Sequence, residues 1–184
     1  MNTLQLLGLK HTGKSSLGRL WAAGHEWDFY DLDNLLEAEA GGGRTSRQIF
    51  LEEGSQGFQR YEAAAAQKIA ARLAQGRVVL AWGGGTVTNP EAVEALRPFG
   101  TLVVLTDDLE VLYQRILRGG RPAFLSANRP WEDFQTLSRE RTALLEVLTA
   151  HRIDLSRASL EEAFDRLQEL WNTIPHQESH QGNS

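Results

Sequence analysis

One stretch near the start of the chain combines the residue types that bind a phosphate group. It reads GLKHTGKSS from Gly8 and follows the short apolar run LQLL. Gly8, Gly13, Lys14 and Ser15 satisfy the pattern G-x-x-x-x-G-K-S/T. Glycines let backbone N–H groups converge on phosphate oxygens, the lysine reaches the β- and γ-phosphates, and the serine hydroxyl is placed to coordinate Mg²⁺. Because the pattern lies between a predicted buried strand and a predicted amphipathic helix, we interpret it as a nucleotide-binding loop.

Three further polar residues of this stretch are candidates for the same site. Thr12 precedes the second glycine, and Ser16 follows Ser15 at the start of the predicted helix. We expect both of them to lie beside the phosphates. His11 has two interpretations, because its ring either touches a phosphate or faces solvent.

Two aspartates form the next candidate group. The segment DFYDLD at 28–33 reads as a second strand that ends in Asp31 and Asp33. Residues two apart on a strand face the same side of the sheet, so both carboxylates are predicted to point into one site. There, Asp31 would lie near the magnesium shell, and Asp33 would orient a substrate hydroxyl and accept its proton. The alternative is that one or both aspartates only cap the helix that follows.

Three consecutive glycines and a pair of arginines complete the candidate groups. Gly83, Gly84 and Gly85 follow the predicted third strand, at the carboxyl edge where open parallel sheets bind ligands. Their missing side chains permit a close approach of the backbone to a small molecule. Arg118 and Arg121 flank a Gly-Gly pair and are predicted to neutralise a transferring phosphoryl group when a mobile segment closes. A solvated basic loop is the alternative for these arginines.

The elements that must position these groups alternate along the chain. Short apolar runs predict strands at 4–7, 28–33, 77–82, 101–106 and 152–156. Sequence pattern predicts helices at about 15–23, 58–75, 109–117, 131–149 and 159–171, with others around the triple glycine 41–43 and after Asn89-Pro90. Strands that alternate with helices imply an α/β protein whose parallel sheet is covered on both faces.

Composition limits the possible partners. The chain has 184 residues, 41% of them hydrophobic and 23% charged, which is consistent with one globular domain. A net charge of −5 argues against a nucleic acid held by a general basic surface, and the lack of cysteine excludes thiolate metal sites. The sequence has no apolar run of the ~20 residues that span a bilayer, and we predict no leader peptide. We therefore expect a monomeric cytoplasmic protein with a small-molecule substrate and no membrane partner.

In their order and spacing, these motifs resemble the shikimate kinase family over nearly the whole chain, from Leu4 to about Leu170. The matching segments are GLKHTGKSSLG, FYDLD, IFLEEGSQGF with the glutamate at 62, GGGTV, the RP pair at 121–122 and RERTALL at 139–145. The resemblance implies a P-loop, adenylate-kinase-like three-layer fold with a five-stranded parallel sheet and a lid. It also implies transfer of the γ-phosphate of ATP to the 3-hydroxyl of shikimate, with Mg²⁺, in aromatic amino acid biosynthesis. We accordingly predict a single kinase domain at 1–175 with its lid at about 118–130, followed by a disordered polar tail at 176–184.

The motifs and the resemblance together assign roles to individual residues. Lys14, Asp33 and Arg121 would be catalytic, and Ser15 and Asp31 would hold the metal. The nucleotide site would comprise Gly8, His11, Thr12, Gly13, Lys14, Ser15, Ser16, Arg118 and Arg121. The substrate site would comprise Asp33, Gln59, Arg60, Gly83, Gly84, Gly85 and Arg141.

Several positions depart from the family pattern. Gln59 stands where the family has an arginine that binds the shikimate carboxylate, and Arg60 follows it. One step along a helix rotates a side chain by about 100°, so either Arg60 reaches the carboxylate by another route or the site binds that anion more weakly. Arg141 matches the family's second carboxylate-binding arginine, although the usual tyrosine nearby is replaced by Leu145. Trp82 is bulky for its position, and it either packs in the core or narrows the substrate pocket.

Three functions are consistent with this pattern. The first is an ATP-dependent kinase of shikimate. The second is a kinase of another small hydroxy acid or polyol, such as a gluconate-like substrate, which Gln59 and Trp82 favour. The third is a nucleotide-binding protein that has lost phosphotransfer, which the presence of Lys14, Asp33 and Arg121 disfavours.

Overall fold

A parallel β-sheet forms the centre of the molecule. The computed structural model describes residues 2–120, 122 and 125–175. The strands within them are β1 (Thr3–Leu7), β2 (Asp28–Asp31), β3 (Val78–Ala81), β4 (Thr101–Thr106) and β5 (Arg152–Asp154). They make one five-stranded sheet in the order β2-β3-β1-β4-β5, and every neighbouring pair runs parallel. The predicted sheet is confirmed.

Helices cover both faces of this sheet. They are α1 (Lys14–His25), α2 (Leu32–Ala40), α3 (Ser46–Gln75), α4 (Pro90–Leu96), α5 (Leu109–Arg118), α6 (Pro130–Leu148) and α7 (Leu160–Thr173), with a 3-10 turn at Thr86–Thr88. On one face, α1 and α7 bury Trp21 and Leu167 against the strands. On the other face, α2, α3 and α4 bury residues such as Leu36, Leu73 and Leu96. Apolar burial on both faces gives the predicted three-layer α/β fold.

Trp82 belongs to the core, which resolves its two interpretations. Its side chain is 2% exposed and packs in the cluster beneath α2, α3 and α4. The indole Nε1 donates a hydrogen bond of 2.7 Å to Oε1 of Gln5, a fully buried residue of β1. The amide of Gln5 in turn donates to the carbonyl oxygens of Leu96 and Phe99 at the end of α4. The pairing satisfies two buried polar groups, so the bulk of Trp82 fills the interior.

The second strand is shorter than the predicted 28–33. It ends at Asp31, and Asp33 lies in the first turn of α2. The reason is local, because the carboxylate of Asp31 accepts the backbone N–H of Asp33 at 3.1 Å and caps the helix. The expectation that both aspartates project from one face of a strand is therefore wrong. The predicted strands at 77–82 and 152–156 are also shorter, at Val78–Ala81 and Arg152–Asp154.

Helix α3 joins two predicted helices and is bent at Gly54. The helix predicted after the triple glycine begins at Ser46 and continues into the helix predicted from Phe58, and Gly54, with φ 69° and ψ −172°, interrupts the helical backbone between them. In a straight helix, Phe50 and Phe58 would be separated by a rise of about 12 Å. In the bent helix their ring centroids are 6.1 Å apart. The bend thus folds the two halves of α3 toward each other.

The predicted lid at 118–130 is described only in part. After α5, Leu125 is buried against Leu112, Ile116 and Phe134, and the backbone N–H of Ser126 donates to Asp133 at 2.8 Å. The later part of the segment is therefore attached to the start of α6. Arg121 and the predicted tail at 176–184 lie outside the described residues. Among the residues described, no helix has the length and apolar character needed to cross a bilayer.

Candidate active site

The loop between β1 and α1 surrounds the amino group of Lys14. Gly8 has φ 141°, and a Cβ there would lie 2.4 Å from the carbonyl oxygen of Leu105, so only glycine fits. Lys14 begins α1, and its Nζ donates to the carbonyl oxygens of Gly8 at 3.0 Å and Leu9 at 2.7 Å. Burial lowers the pKa of Lys14 to about 8, and the carboxylates of Asp33 and Asp31 only partly oppose this effect. The chain thus forms a loop with a buried cation at the N-terminal end of a helix, as the motif predicts.

A cavity of about 700 Å³ opens over this loop, and we call it the nucleotide cavity. Most residues that the sequence analysis assigned to the nucleotide and metal sites line this cavity: His11, Thr12, Gly13, Lys14, Ser15, Ser16, Asp31 and Arg118. Lys10 and Arg115 line it as well, although the sequence analysis did not select them. Arg115 and Arg118 are three residues apart on α5 and so share one face of the helix, which is the signal that could have revealed Arg115.

Cations surround His11 at the mouth of this cavity. Its backbone is left-handed with φ 66°, its side chain is exposed, and Nη1 of Arg115 donates to its carbonyl oxygen at 3.1 Å. Partial burial lowers the pKa of His11, and the charges of Lys10, Lys14 and Arg115 lower it further. Positive charge gathered at one mouth is suited to a polyanionic ligand.

Ser15 and Asp31 meet at the edge of the nucleotide cavity. The hydroxyl of Ser15 donates to Oδ2 of Asp31, and the two oxygens are 2.5 Å apart. Two oxygen ligands beside a phosphate-binding loop are the donor set that Mg²⁺ takes together with waters and phosphate oxygens. In the described part of the chain, no group of three or more His, Cys, Asp or Glu side chains is arranged to hold a metal. The residues present therefore fit a metal bound jointly with a nucleotide.

Asp33 stands between the nucleotide cavity and a second cavity, and it lines both. A Cβ on Gly83 would lie 2.6 Å from Oδ1 of Asp33, so the glycine gives the carboxylate its place. Burial raises the pKa of Asp33 above its ordinary value, and the charge of Asp31 raises it further while Lys14 opposes the change. A carboxylate with a raised pKa at the junction of two cavities has the properties of a general base.

The second cavity, which we call the substrate cavity, has a volume of about 360 Å³. Its walls come from α2, the two halves of α3, the loop after β3, α5 and α6. They are formed by Lys10, His11, Asp33, Ser46, Arg47, Phe50, Ser55, Phe58, Gln59, Glu62, Gly84, Gly85, Thr88, Ile116, Gly119, Gly120, Pro122 and Arg141. Apolar walls with a few charged groups are usual for a small polar ligand.

The three glycines after β3 each accommodate a different neighbour. Gly83 faces Asp33, as described above. A Cβ on Gly84 would lie 2.8 Å from the backbone nitrogen of Lys10, and one on Gly85 would lie 3.2 Å from Nη2 of Arg141. The close approach predicted for these glycines is thus to the protein's own groups as well as to any ligand.

A buried carboxylate holds this glycine loop in position. Glu62 is 2% exposed and accepts hydrogen bonds from Thr86 Oγ1 at 2.6 Å and Asn89 Nδ2 at 2.9 Å. Burial raises its pKa, while these two hydrogen bonds and the charge of Arg141 act in the opposite direction. The sequence analysis includes Glu62 only as the last residue of a matching segment and assigns it no role.

Gln59 and Arg60, which depart from the family pattern, are neighbours on α3, and their side chains lie in different surroundings. Gln59 lines the substrate cavity, and its Nε2 donates to the carbonyl oxygen of Thr88 at 3.4 Å. Arg60 is one residue further on, does not line that cavity, and lies 3.8 Å from Glu53 with its side chain 77% exposed. Arg141 does line the cavity. The structure thus brings Gln59 and Arg141 together and directs Arg60 elsewhere.

Comparison with known proteins places this arrangement in a family. The sequence model of shikimate kinase matches residues 11–171. The chain belongs to the shikimate kinase family. It is 32% identical to shikimate kinase of Pelotomaculum thermopropionicum over 91% of this chain and 94% of that protein. It is 38% identical to shikimate kinase of Symbiobacterium thermophilum over 89% of this chain and 95% of that protein.

Solved structures give the same family likeness. Shikimate kinase from Acinetobacter baumannii, in a complex with shikimate, superposes with a TM-score of 0.83 and 25% identity, covering 95% of this chain and 96% of that one. A sugar kinase from Janibacter superposes with a TM-score of 0.56 and 17% identity, which is a likeness of fold alone. The P-loop, adenylate-kinase-like fold predicted from the sequence is confirmed.

Proposed function

We propose that this protein is a shikimate kinase, which transfers the γ-phosphate of ATP to the 3-hydroxyl of shikimate. The observation that carries the proposal is the position of Asp33, which lines the nucleotide cavity and the substrate cavity at their junction. A hydroxyl beside Asp33 would have a phosphate-binding loop on one side and the substrate cavity on the other. Phosphoryl transfer requires the attacking hydroxyl and the leaving oxygen to lie on opposite sides of the phosphorus, and cavities that adjoin at Asp33 would allow this arrangement.

In the proposed reaction, the hydroxyl oxygen of the substrate forms a bond to the γ-phosphorus as the bond from that phosphorus to the β–γ bridging oxygen breaks. ADP leaves with the bridging oxygen, and the hydroxyl proton passes to the carboxylate of Asp33. Lys14 exchanges the carbonyl oxygens of Gly8 and Leu9 for phosphate oxygens, so that its buried charge faces the charge of the transferred group. Arg118, which lines the nucleotide cavity, would add positive charge there, and we propose the same role for Arg121.

Ser15 and Asp31 are the residues that would hold Mg²⁺. Their oxygens already lie 2.5 Å apart beside the loop. When bound, the ion would neutralise charge on the β- and γ-phosphates. Because Asp31 also caps α2, the metal site and the position of Asp33 two residues later are linked through one short turn.

A panel of substrates tests the proposal. Release of ADP is measured with shikimate and with other hydroxy acids and polyols, including gluconate. We expect turnover with shikimate, and Lys14→Ala provides the control for contaminating kinases because it removes the phosphate-binding cation. Turnover only with another compound would support the second function, and no turnover with any compound would support loss of phosphotransfer.

One observation favours the second function. Gln59 faces the substrate cavity at the position where the family resemblance implies a carboxylate-binding arginine. The other argument for it has weakened, since Trp82 packs in the core beside Gln5 and does not line the substrate cavity. Shikimate therefore remains the proposed substrate, provided that another cation replaces the missing one.

We further propose that the protein acts in the cytoplasm as a monomer. Lys14, Ser15, Asp31, Asp33 and Arg141 all come from one chain and converge on adjoining cavities. A single chain can therefore assemble the site without residues from a second copy. Light scattering on the purified protein, measured alongside activity as the protein is diluted, tests this.

A further inference from the structure

Arg47 lines the substrate cavity although no sequence motif selects it. It lies in the first turn of α3, directly after Ser46, and it is an exposed residue. The other residues that α3 contributes to this cavity are Phe50, Ser55, Phe58, Gln59 and Glu62. Arg60 does not line it, because one step along a helix from Gln59 turns a side chain by about 100°.

The bend at Gly54 gives Arg47 access to the same cavity as Gln59. In a straight helix these two residues would be separated by a rise of about 18 Å. The contact between Phe50 and Phe58 shows that the two halves of α3 close on one another, with ring centroids 6.1 Å apart. Arg47 lies one turn before Phe50, Gln59 directly follows Phe58, and both line the substrate cavity.

The hydroxyl of Ser46, the residue before Arg47, is a second polar group at this wall of the substrate cavity. Oγ of Ser46 is buried, and it makes no hydrogen bond within the part of the chain that the structure describes. Ser46 lines the substrate cavity, where a ligand oxygen would satisfy this hydroxyl. The first turn of α3 therefore presents a cation and a hydroxyl together.

Arg60 is poorly placed to supply the missing charge. Its guanidinium lies 3.8 Å from Oε2 of Glu53. The other carboxylate oxygen of Glu53 pairs with Arg44 at 2.6 Å and accepts a hydrogen bond from Tyr61 at 3.1 Å. Arg60 thus belongs to a surface network away from the substrate cavity.

We propose that Arg47 and Arg141 together hold the carboxylate of the substrate, so that the cation absent at position 59 is supplied from the first turn of α3. This inference rests on the proposed function, because it assumes an anionic substrate such as shikimate. Arg141 lies against Gly85 at one wall of the cavity, and Arg47 lies in the half of α3 that precedes the bend at Gly54. Ser46 contributes its hydroxyl to the same anion.

Steady-state kinetics with two substrates test the proposal. Arg47→Gln should raise the KM for shikimate about tenfold, the scale of one charge-assisted hydrogen bond, with kcat and the KM for ATP little changed. With the methyl ester of shikimate, which has no carboxylate charge, the same substitution should leave KM nearly unchanged. Arg97→Gln, which alters an exposed arginine after α4, is the matched control and should have no effect.

Moving the arginine gives a second, independent measurement. In the double variant Arg47→Gln with Gln59→Arg, the cation returns to the position implied by the family, and the KM for shikimate should recover. If Arg47→Gln leaves that KM unchanged while the wild-type protein turns over shikimate, the role of Arg47 is wrong and the proposed function stands. If the wild-type protein does not turn over shikimate, both are wrong. An equal loss with shikimate and its ester would also overturn the carboxylate role.

Discussion

The hydroxyl of Ser15 donates a hydrogen bond to Asp31, with 2.5 Å between Oγ and Oδ2, and this contact joins the nucleotide-binding loop to the second strand. The other carboxylate oxygen of Asp31 accepts the N–H of Asp33. One side chain therefore connects the nucleotide-binding loop, the proposed metal site and the start of the helix that carries Asp33, the proposed base.

Asp31→Asn should weaken the response to Mg²⁺ without disturbing the fold. Asparagine is as good an N-cap as aspartate, so α2 should still begin at the same place. Loss of the charge should raise the Mg²⁺ concentration for half-maximal activity by about 10- to 100-fold. A magnesium titration of the kinase reaction measures this. Asp28→Asn, at the exposed start of the same strand, should leave the titration unchanged.

The lowered pKa of Lys14 predicts a limit on activity at alkaline pH. In the free enzyme, the amino group loses its proton as pH rises through about 8, and the neutral amine attracts phosphates less strongly. The kcat/KM for ATP should therefore fall above about pH 8, and kcat at saturating ATP should hold to higher pH because bound phosphates favour the charged amine. A pH profile that stays flat beyond pH 9.5 would contradict this.

Asp33→Asn should reduce kcat by about 10²- to 10⁴-fold, because the amide keeps the size of the side chain but cannot accept the hydroxyl proton. ATP affinity, measured with a fluorescent analogue, should change little. If ATP affinity collapses and kcat holds, Asp33 belongs to the metal site. In the wild-type protein, the raised pKa of Asp33 means that activity is lost on acidification at a pH above the ordinary aspartate range.

Gly83→Ala should displace the base. The new methyl group would lie 2.6 Å from Oδ1 of Asp33 and 2.9 Å from Oγ1 of Thr86, so at least one of them must move. We expect kcat to fall by at least tenfold, since catalysis by a positioned base depends on its geometry. Gly24→Ala on α1 is the control, because its Cβ would make only ordinary contacts with Phe164, at 3.5 Å, and should keep full activity. Equal activity of both variants would show that Asp33 is not constrained by Gly83.

The sequence was sufficient for features that depend on neighbouring residues. The nucleotide-binding loop needs only Gly8, Gly13, Lys14 and Ser15 at fixed spacing between a strand and a helix, and local geometry then aims its groups. The parallel sheet follows from strands that alternate with helices. Because Gly83, Gly84 and Gly85 come directly after a strand, their place at the carboxyl edge of the sheet also follows from the sequence.

Only the tertiary structure decided which distant groups share a cavity. The phase of α3 and its bend at Gly54 place Gln59 and Arg47 at the substrate cavity and Arg60 at the surface. Gly54 permits the positive φ of this bend, but a glycine in a helical segment does not by itself fix how the two halves of the helix pack against each other. Glu62 has no role assigned from the sequence, because its burial depends on Thr86 and Asn89 after β3. Spacing along a chain sets the direction of a side chain within its own element, whereas meeting another element depends on packing across the whole core.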